Sequence, residues 1–216
     1  MTPVLITQRV DLIPDYGERR DALDQRWVGL LAQIGLMPIA VPNRIDAAGL
    51  GNLMSLPGLA GTILTGGPSL VAYGGDTPER DAVENTLIAK ALQDGTPLLG
   101  VCRGLQVLLA YFGTPLDVVD GHVAVRHGLS VCGDGPFADR LRPMTDVNSY
   151  HDLSARDLDP PLRVVARADD GTIEAVEHAD APVAGVMWHP ERAEHPAAPD
   201  LALLAWFFGT DTGTAS

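Results

Sequence analysis

The segment Leu98-Leu99-Gly100-Val101-Cys102-Arg103-Gly104-Leu105-Gln106 sets a cysteine between glycines two residues to either side, where an apolar run gives way to helical spacing. Glycines in those places let the chain turn sharply and lift the sulfur above the carboxyl edge of a sheet. At the start of a helix the positive end of the macrodipole favours thiolate, which is the nucleophilic form. Such a nucleophile needs a base, and the run Gly185-Val186-Met187-Trp188 leads straight into His189-Pro190-Glu191. On an extended strand end, residues two apart point to the same side, so Glu191 is expected to hold and polarise the His189 imidazole. Attack on a carbonyl also needs donors for the developing oxyanion. Arg103 offers the backbone N–H directly after the nucleophile, and the Gly66-Gly67-Pro68 turn is expected to lay a second one beside it. No G-K-[ST] follows these glycines, which excludes a phosphate-binding P-loop. The chemistry these residues fit is acyl transfer through a thioester, with no cofactor required.

The other candidates are weaker. Cys132, in Val131-Cys132-Gly133-Asp134-Gly135, has none of the surroundings of Cys102 and reads as a bystander. His122 and His127 stand four residues apart in a turn-rich stretch with no third convergent ligand evident in the sequence, so no metal is expected.

The elements that must position Cys102 and His189 alternate between short apolar runs and helical periodicity, the pattern of a mostly parallel sheet covered on both faces. Strands are expected at Val4 to Thr7, Pro38 to Val41, Gly61 to Thr65, Pro97 to Val101 and Pro182 to Trp188. Leu23, Trp27, Leu30, Leu31 and Ile34 predict a helix over about residues 18–34, stopped by Gly35. Asp46 is expected to cap a short helix to about Leu56. Thr77, Pro78 and Gly95 bracket a longer one, Leu105 to Phe112 lie on the helix after the elbow, and a closing helix is expected over about 199–208. Between Leu116 and Glu177 the pieces are short and turn-rich, with Leu162 to Ala168 and Ile173 to Glu177 read as antiparallel strands. The fold class is therefore α/β, flavodoxin-like, with a small antiparallel extension. Residues 1–209 are read as one domain and 210–216 as a frayed tail.

The 216 residues carry 46% apolar and 20% charged side chains, enough to fill a core, and a formal charge of −13. That charge makes nucleic acid and anionic membrane poor partners. The first residues lack a basic, apolar leader pattern and no run of about 18 apolar residues occurs, so a soluble, cytoplasmic protein is expected. A homodimer is the default assembly for such a domain.

Several ordered motifs resemble class I glutamine amidotransferases, and within them the γ-glutamyl hydrolase branch known as peptidase C26. They are Leu64-Thr65-Gly66-Gly67-Pro68, Arg80-Asp81 with Glu84, the Cys102 elbow, Val147-Asn148-Ser149-Tyr150-His151, Asp170-Gly171-Thr172-Ile173-Glu174-Ala175 and Trp188-His189-Pro190-Glu191. The resemblance implies a class I glutamine amidotransferase fold and a Cys102, His189, Glu191 triad with Gly67 and Arg103 as oxyanion donors. It also implies a small γ-glutamyl substrate whose headgroup meets Gly66, Gln106 and the Ser149, Tyr150, His151 segment. The Cys-Arg-Gly-Leu-Gln sequence is similar to that of hydrolases of γ-glutamyl-amines, while Asp152-Leu153 departs from the His-Gln usual there. Ile6 to Arg9, Tyr16 to Trp27 and Gly121 to His127 resemble hydrolases that split γ-glutamyl from a nucleotide-linked amidate. On that resemblance Arg9, Arg19, Arg20, Arg126 and His127 are candidates to meet a phosphate. The alternative reading, a glutaminase subunit passing ammonia to a separate synthase, uses the same catalytic residues.

Overall fold

The computed structural model describes residues 1–193 and 197–210. An eight-stranded sheet forms its centre, in the order β4 (Leu36–Val41), β1 (Thr2–Thr7), β5 (Thr62–Leu64), β6 (Leu98–Val101), β14 (Val183–Val186), β13 (Ile173–His178), β12 (Leu162–Arg167) and β9 (Ser130–Val131). The first five run parallel, and the last three continue the sheet antiparallel. Side chains alternate along each buried strand, so Val4, Ile6, Ile63, Leu99, Val101 and Val186 face one side while Leu5, Leu64, Leu98 and Val183 face the other. Helices α1 (Arg26–Gln33), α5 (Pro136–Leu141) and α6 (Ala198–Phe207) cover the first side through Trp27, Leu30, Leu31, Phe137, Leu203 and Leu204. On the second side lie α2 (Ala47–Met54), α3 (Pro78–Asp94) and α4 (Arg103–Tyr111), which bring Leu50, Val83, Leu87, Ile88 and Leu108. Apolar layers on both faces are what makes near-continuous apolar strands stable at the centre.

Three small antiparallel pairs lie outside this sheet: β2 (Arg9–Ile13) with β3 (Glu18–Ala22), β7 (Asp117–Val118) with β11 (Leu153–Ser154), and β8 (Val123–Gly128) with β10 (Asp146–Tyr150). The first of them corrects the sequence reading. Helix α1 begins only at Arg26, and Glu18–Ala22 instead pairs with Arg9–Ile13 in register Arg9 to Ala22 and Ile13 to Glu18. The turn through Pro14, Asp15, Tyr16 and Gly17 closes it, with Tyr16 N–H donating to Ile13 O at 3.2 Å and Gly17 at φ +60°. Apolar spacing held the helix from Trp27 onward; the Pro and Gly of the preceding turn decided the rest.

Elsewhere the boundaries follow the local signals. The Asp46 carboxylate accepts from Gly49 N–H at 2.7 Å, capping α2. Gly35, Gly95 and Gly113 end their helices at φ values of +74°, +65° and +85°. Thr77 precedes Pro78 as expected, yet its hydroxyl makes no capping bond. Helix α5 was not foreshadowed in the turn-rich stretch. Residues 211–216 of the expected tail lie outside the described residues. Among the described residues no helix is long and apolar enough to cross a membrane.

Candidate active site

Three adjacent strands deliver the catalytic groups at their carboxyl ends. After β6 the chain turns on one residue, Cys102, and enters α4. Cys102 sits at φ 52°, ψ −105°, a conformation that L residues rarely adopt and that costs of order 1–3 kcal/mol. Its N–H donates to Val186 O at 2.8 Å, and its own carbonyl accepts the first helical bond from Gln106 N–H at 3.1 Å. Both flanking glycines are required by close approach. A Cβ on Gly100 would lie 2.5 Å from the Gly104 carbonyl carbon, and one on Gly104 would lie 2.2 Å from Leu64 O. The G-x-C-x-G pattern is therefore a packing requirement of the elbow, and it puts the sulfur at the positive end of α4.

From the end of β14 the chain reaches His189, whose Nδ1 stands 2.6 Å from Glu191 Oε1, with both side chains buried. The local geometry differs from the expected extended end, because Pro190–Arg192 form a 3₁₀ turn that brings Glu191 back to the ring. Burial acts to lower the His189 pKa. Hydrogen bonds with Cys102 and Glu191, and the charges of both, outweigh it and raise the value to about 9. The imidazole thus holds a proton at neutral pH beside the sulfur, the arrangement of an activated cysteine nucleophile.

Beyond β5, Gly66 and Gly67 line a cleft of about 240 Å³ that also meets Arg9, Trp27, His189 and Glu191. Arg80 fixes this turn from behind, donating to Thr65 O at 2.7 Å and to Gly66 O at 3.2 Å. A Cβ on Gly67 would fall 2.3 Å from Arg80 Nη1, so the guanidinium and the glycine occupy one another's only room. The side chain of Arg103 turns away from the cleft into ion pairs with Glu84 and Asp81, leaving its backbone at the start of α4 beside Cys102.

The predicted substrate contacts divide by face. Along β10 and the residue after it, Asn148 and Tyr150 face His189 while Ser149 and His151 face the interior. Asn148 clamps the His189 backbone, accepting from its N–H and donating to its carbonyl, each at 2.8 Å. The Tyr150 ring stands edge-on to the His189 ring at 5.7 Å, with the Arg192 guanidinium 4.6 Å from its centre. Ser149 instead donates to His122 O at 2.6 Å, and the buried His151 ring meets Glu174. Gln106 is taken up by the carbonyl of Leu153 at 2.9 Å. Asn148 belongs to the site although the sequence reading gave it no role; its place two residues before Tyr150 on a strand was the available signal.

Of the candidate phosphate contacts, Arg9 lines the cleft, paired to Asp11 at 2.7 Å. Arg19 is held by Glu79, Arg20 by Glu18 and Arg126 by Asp146. His127 corrects the sequence reading of isolated histidines, since His122, His127, His151 and Glu174 place their ligand atoms within 4.8 Å of one another. The third group, His151, comes from β10's end and the fourth from β13, so sequence spacing concealed both.

The peptidase C26 family model matches residues 7–191. The chain belongs to the peptidase C26 family. Two relatives of this C26 protein bear names of defined activity. A γ-glutamyl-γ-aminobutyrate hydrolase of Escherichia coli O157:H7 is 33% identical over 81% of this chain and 80% of its own. A γ-glutamyl-CDP-amidate hydrolase of Campylobacter jejuni is 29% identical over 87% and 88%. A glutamine amidotransferase structure from Thermotoga maritima superposes with a TM-score of 0.65 at 17% identity, covering 88% of this chain and 76% of that one. Another, from Thermoplasma acidophilum, reaches 0.70 at 20% identity over 97% and 94%. These last two bear on the fold, which is that of class I glutamine amidotransferases.

Proposed function

We propose that this C26 protein hydrolyses a γ-glutamyl amide through a glutamyl-thioester on Cys102. The observation that carries the reading is the buried His189, bonded to Glu191 at 2.6 Å and to the Cys102 sulfur at the head of α4. Thiolate attacks the γ-carbonyl, and the oxyanion meets backbone N–H groups of Gly67 and Arg103. His189 gives its proton to the leaving nitrogen, the C–N bond breaks, and the amine departs. Water then loses a proton to His189 as it attacks the thioester, releasing glutamate and the thiolate. Glu191 fixes the ring tautomer throughout.

The named relatives support a γ-glutamyl conjugate as substrate, either an amine or a nucleotide-linked amidate. Arg9 on the cleft wall supports a leaving group with an anionic portion, since it projects beside His189 from the β2–β3 pair. The test is glutamate release from glutamine, γ-glutamyl-amines and γ-glutamyl phosphoramidates by the isolated chain and by Cys102→Ala. Steady turnover of a conjugate in preference to glutamine, abolished in the variant, is the expected result. An undiminished rate in Cys102→Ala, or no turnover of any conjugate, would sink the proposal.

A further inference from the structure

The buried cluster behind the catalytic histidine plays no part in the thioester chemistry. His122 precedes β8, His127 lies within it, His151 follows β10, and Glu174 sits on β13. Glu174 Oε1 is 3.3 Å from His151 Nε2, 3.5 Å from His127 Nε2 and 3.6 Å from His122 Nδ1. None of these approaches makes a hydrogen bond. His122 Nδ1, His127 Nε2, both ring nitrogens of His151 and both oxygens of Glu174 are buried without a partner. Buried polar atoms are nearly always satisfied, so this many facing one another requires an explanation.

The outer sides of two rings supply one. His127 Nδ1 lies 3.0 Å from Gly128 O and His122 Nε2 lies 3.4 Å from Asp170 Oδ2. An N–H on each outer nitrogen leaves a lone pair on each inner one, directed toward carboxylate oxygens that are themselves acceptors. Acceptors converging on acceptors need a cation between them. Outer-side bonds to a carbonyl and a carboxylate are also how metal-binding histidines are held.

We propose that His122, His127, His151 and Glu174 form a four-ligand site for a divalent cation of the zinc class, joining the β8–β10 pair to β13 behind His189. Four ligands at the usual Zn–N and Zn–O lengths lie about 3.3 Å apart at the corners of a tetrahedron. The three separations from Glu174 Oε1 are already near that value, and the wider pairs need only a small inward movement. Nitrogen and oxygen ligands without a thiolate fit zinc among the common cations, and a complete set of four protein ligands leaves no open position for chemistry. Burial lowers the His151 pKa to about 4, which keeps that ring in its neutral, ligating form. The role is positional. Ser149 and His151 both bond the His122 carbonyl from one side of β10, while Asn148 on the other side holds His189.

The test uses the full chain, stripped with a chelator and titrated with Zn2+ against a chromophoric competitor. The expected result is about one zinc per chain, retained in Cys102→Ala and lost in His127→Ala and Glu174→Gln. Co2+ in its place should give the visible bands of a tetrahedral nitrogen and oxygen site without a thiolate charge-transfer band. Zn2+ should raise the thermal midpoint of the unaltered chain, a readout independent of whether the variants fold. Failure of the unaltered chain to bind zinc overturns the site. So does zinc that survives in both folded cluster variants, or that disappears in Cys102→Ala.

Discussion

Arg103, the residue after the nucleophile, pairs its guanidinium with Glu84 at a place where neither side chain reaches solvent. The other oxygen of the same carboxylate accepts from Arg80 Nε at 2.9 Å and from the Thr7 hydroxyl at 2.8 Å. Arg80 in turn holds the carbonyls of Thr65 and Gly66. One buried charge therefore ties the elbow, the end of β1 and the oxyanion turn to a single point on α3.

Glu84→Gln should be damaging well beyond the loss of one hydrogen bond. Burial acts to raise the Glu84 pKa, but Arg80, Arg103 and Thr7 hold it below its ordinary value of 4.5. Removing the charge leaves two buried guanidinium groups short of a counterion, at a cost of about 3–5 kcal/mol. The sign follows from the lowered pKa: the carboxylate's contribution is present above about pH 4.5 and is lost as pH falls through the lower folded value. Chemical denaturation of both proteins at pH 7 and at acid pH should show a stability gap that narrows on acidification. A gap that is constant with pH would contradict this account of Glu84.

Gly66→Ala should separate catalysis from folding. The added Cβ would lie 2.5 Å from His189 Cε1. The ring has little freedom to retreat, because Glu191 holds its Nδ1 and Asn148 holds its backbone on both sides. A displacement near 1 Å at a reacting group costs about 10²-fold in rate. The expected outcome is a fall of that order in kcat with a thermal midpoint close to that of the parent. A variant of unchanged kcat would show that His189 is not confined as described.

Much of this arrangement was legible in the chain because its signals are local. The elbow reads from Gly100 and Gly104, whose small size is demanded by contacts within a few residues or with the next strand. Parallel strands announced themselves as apolar runs, and α3 as a bracket of Pro78 and Gly95. What escaped the sequence was set by pairing across space. Residues Glu18–Ala22 joined β2 rather than α1 because a turn four residues long brought Arg9–Ile13 alongside. His151 was read with Tyr150 as a substrate contact, yet neighbours on a strand face opposite ways, and its imidazole joins residues from three other places in the chain. Convergence of that kind has no signature in spacing.

Asn148→Ala tests a residue that touches no reacting atom. Its side chain satisfies both the N–H and the carbonyl of His189, and an orphaned buried group costs about 1–3 kcal/mol. A positioning role predicts that kcat falls much more than KM rises, with partial recovery in Asn148→Asp, which keeps the acceptor for the His189 N–H. Equal losses in Asn148→Asp and Asn148→Ala would assign the effect to the donor side alone. Steady-state kinetics of the three proteins distinguishes these outcomes.

The pH dependence should report the triad directly. With the His189 pKa raised to about 9 from an ordinary 6.5, the folded protein binds a proton more tightly than the unfolded chain. Its contribution to stability is complete below about pH 6.5 and disappears as pH rises through about 9. The leaving nitrogen needs that proton, so kcat/KM should decline on an alkaline limb near the same value. In Glu191→Gln one of the groups that raises the pKa is gone, and the limb should move to lower pH while kcat falls by about 10²–10⁴-fold. The two effects are linked through one hydrogen bond of 2.6 Å, so a large loss of rate with an unmoved limb would show that Glu191 acts on something other than the imidazole.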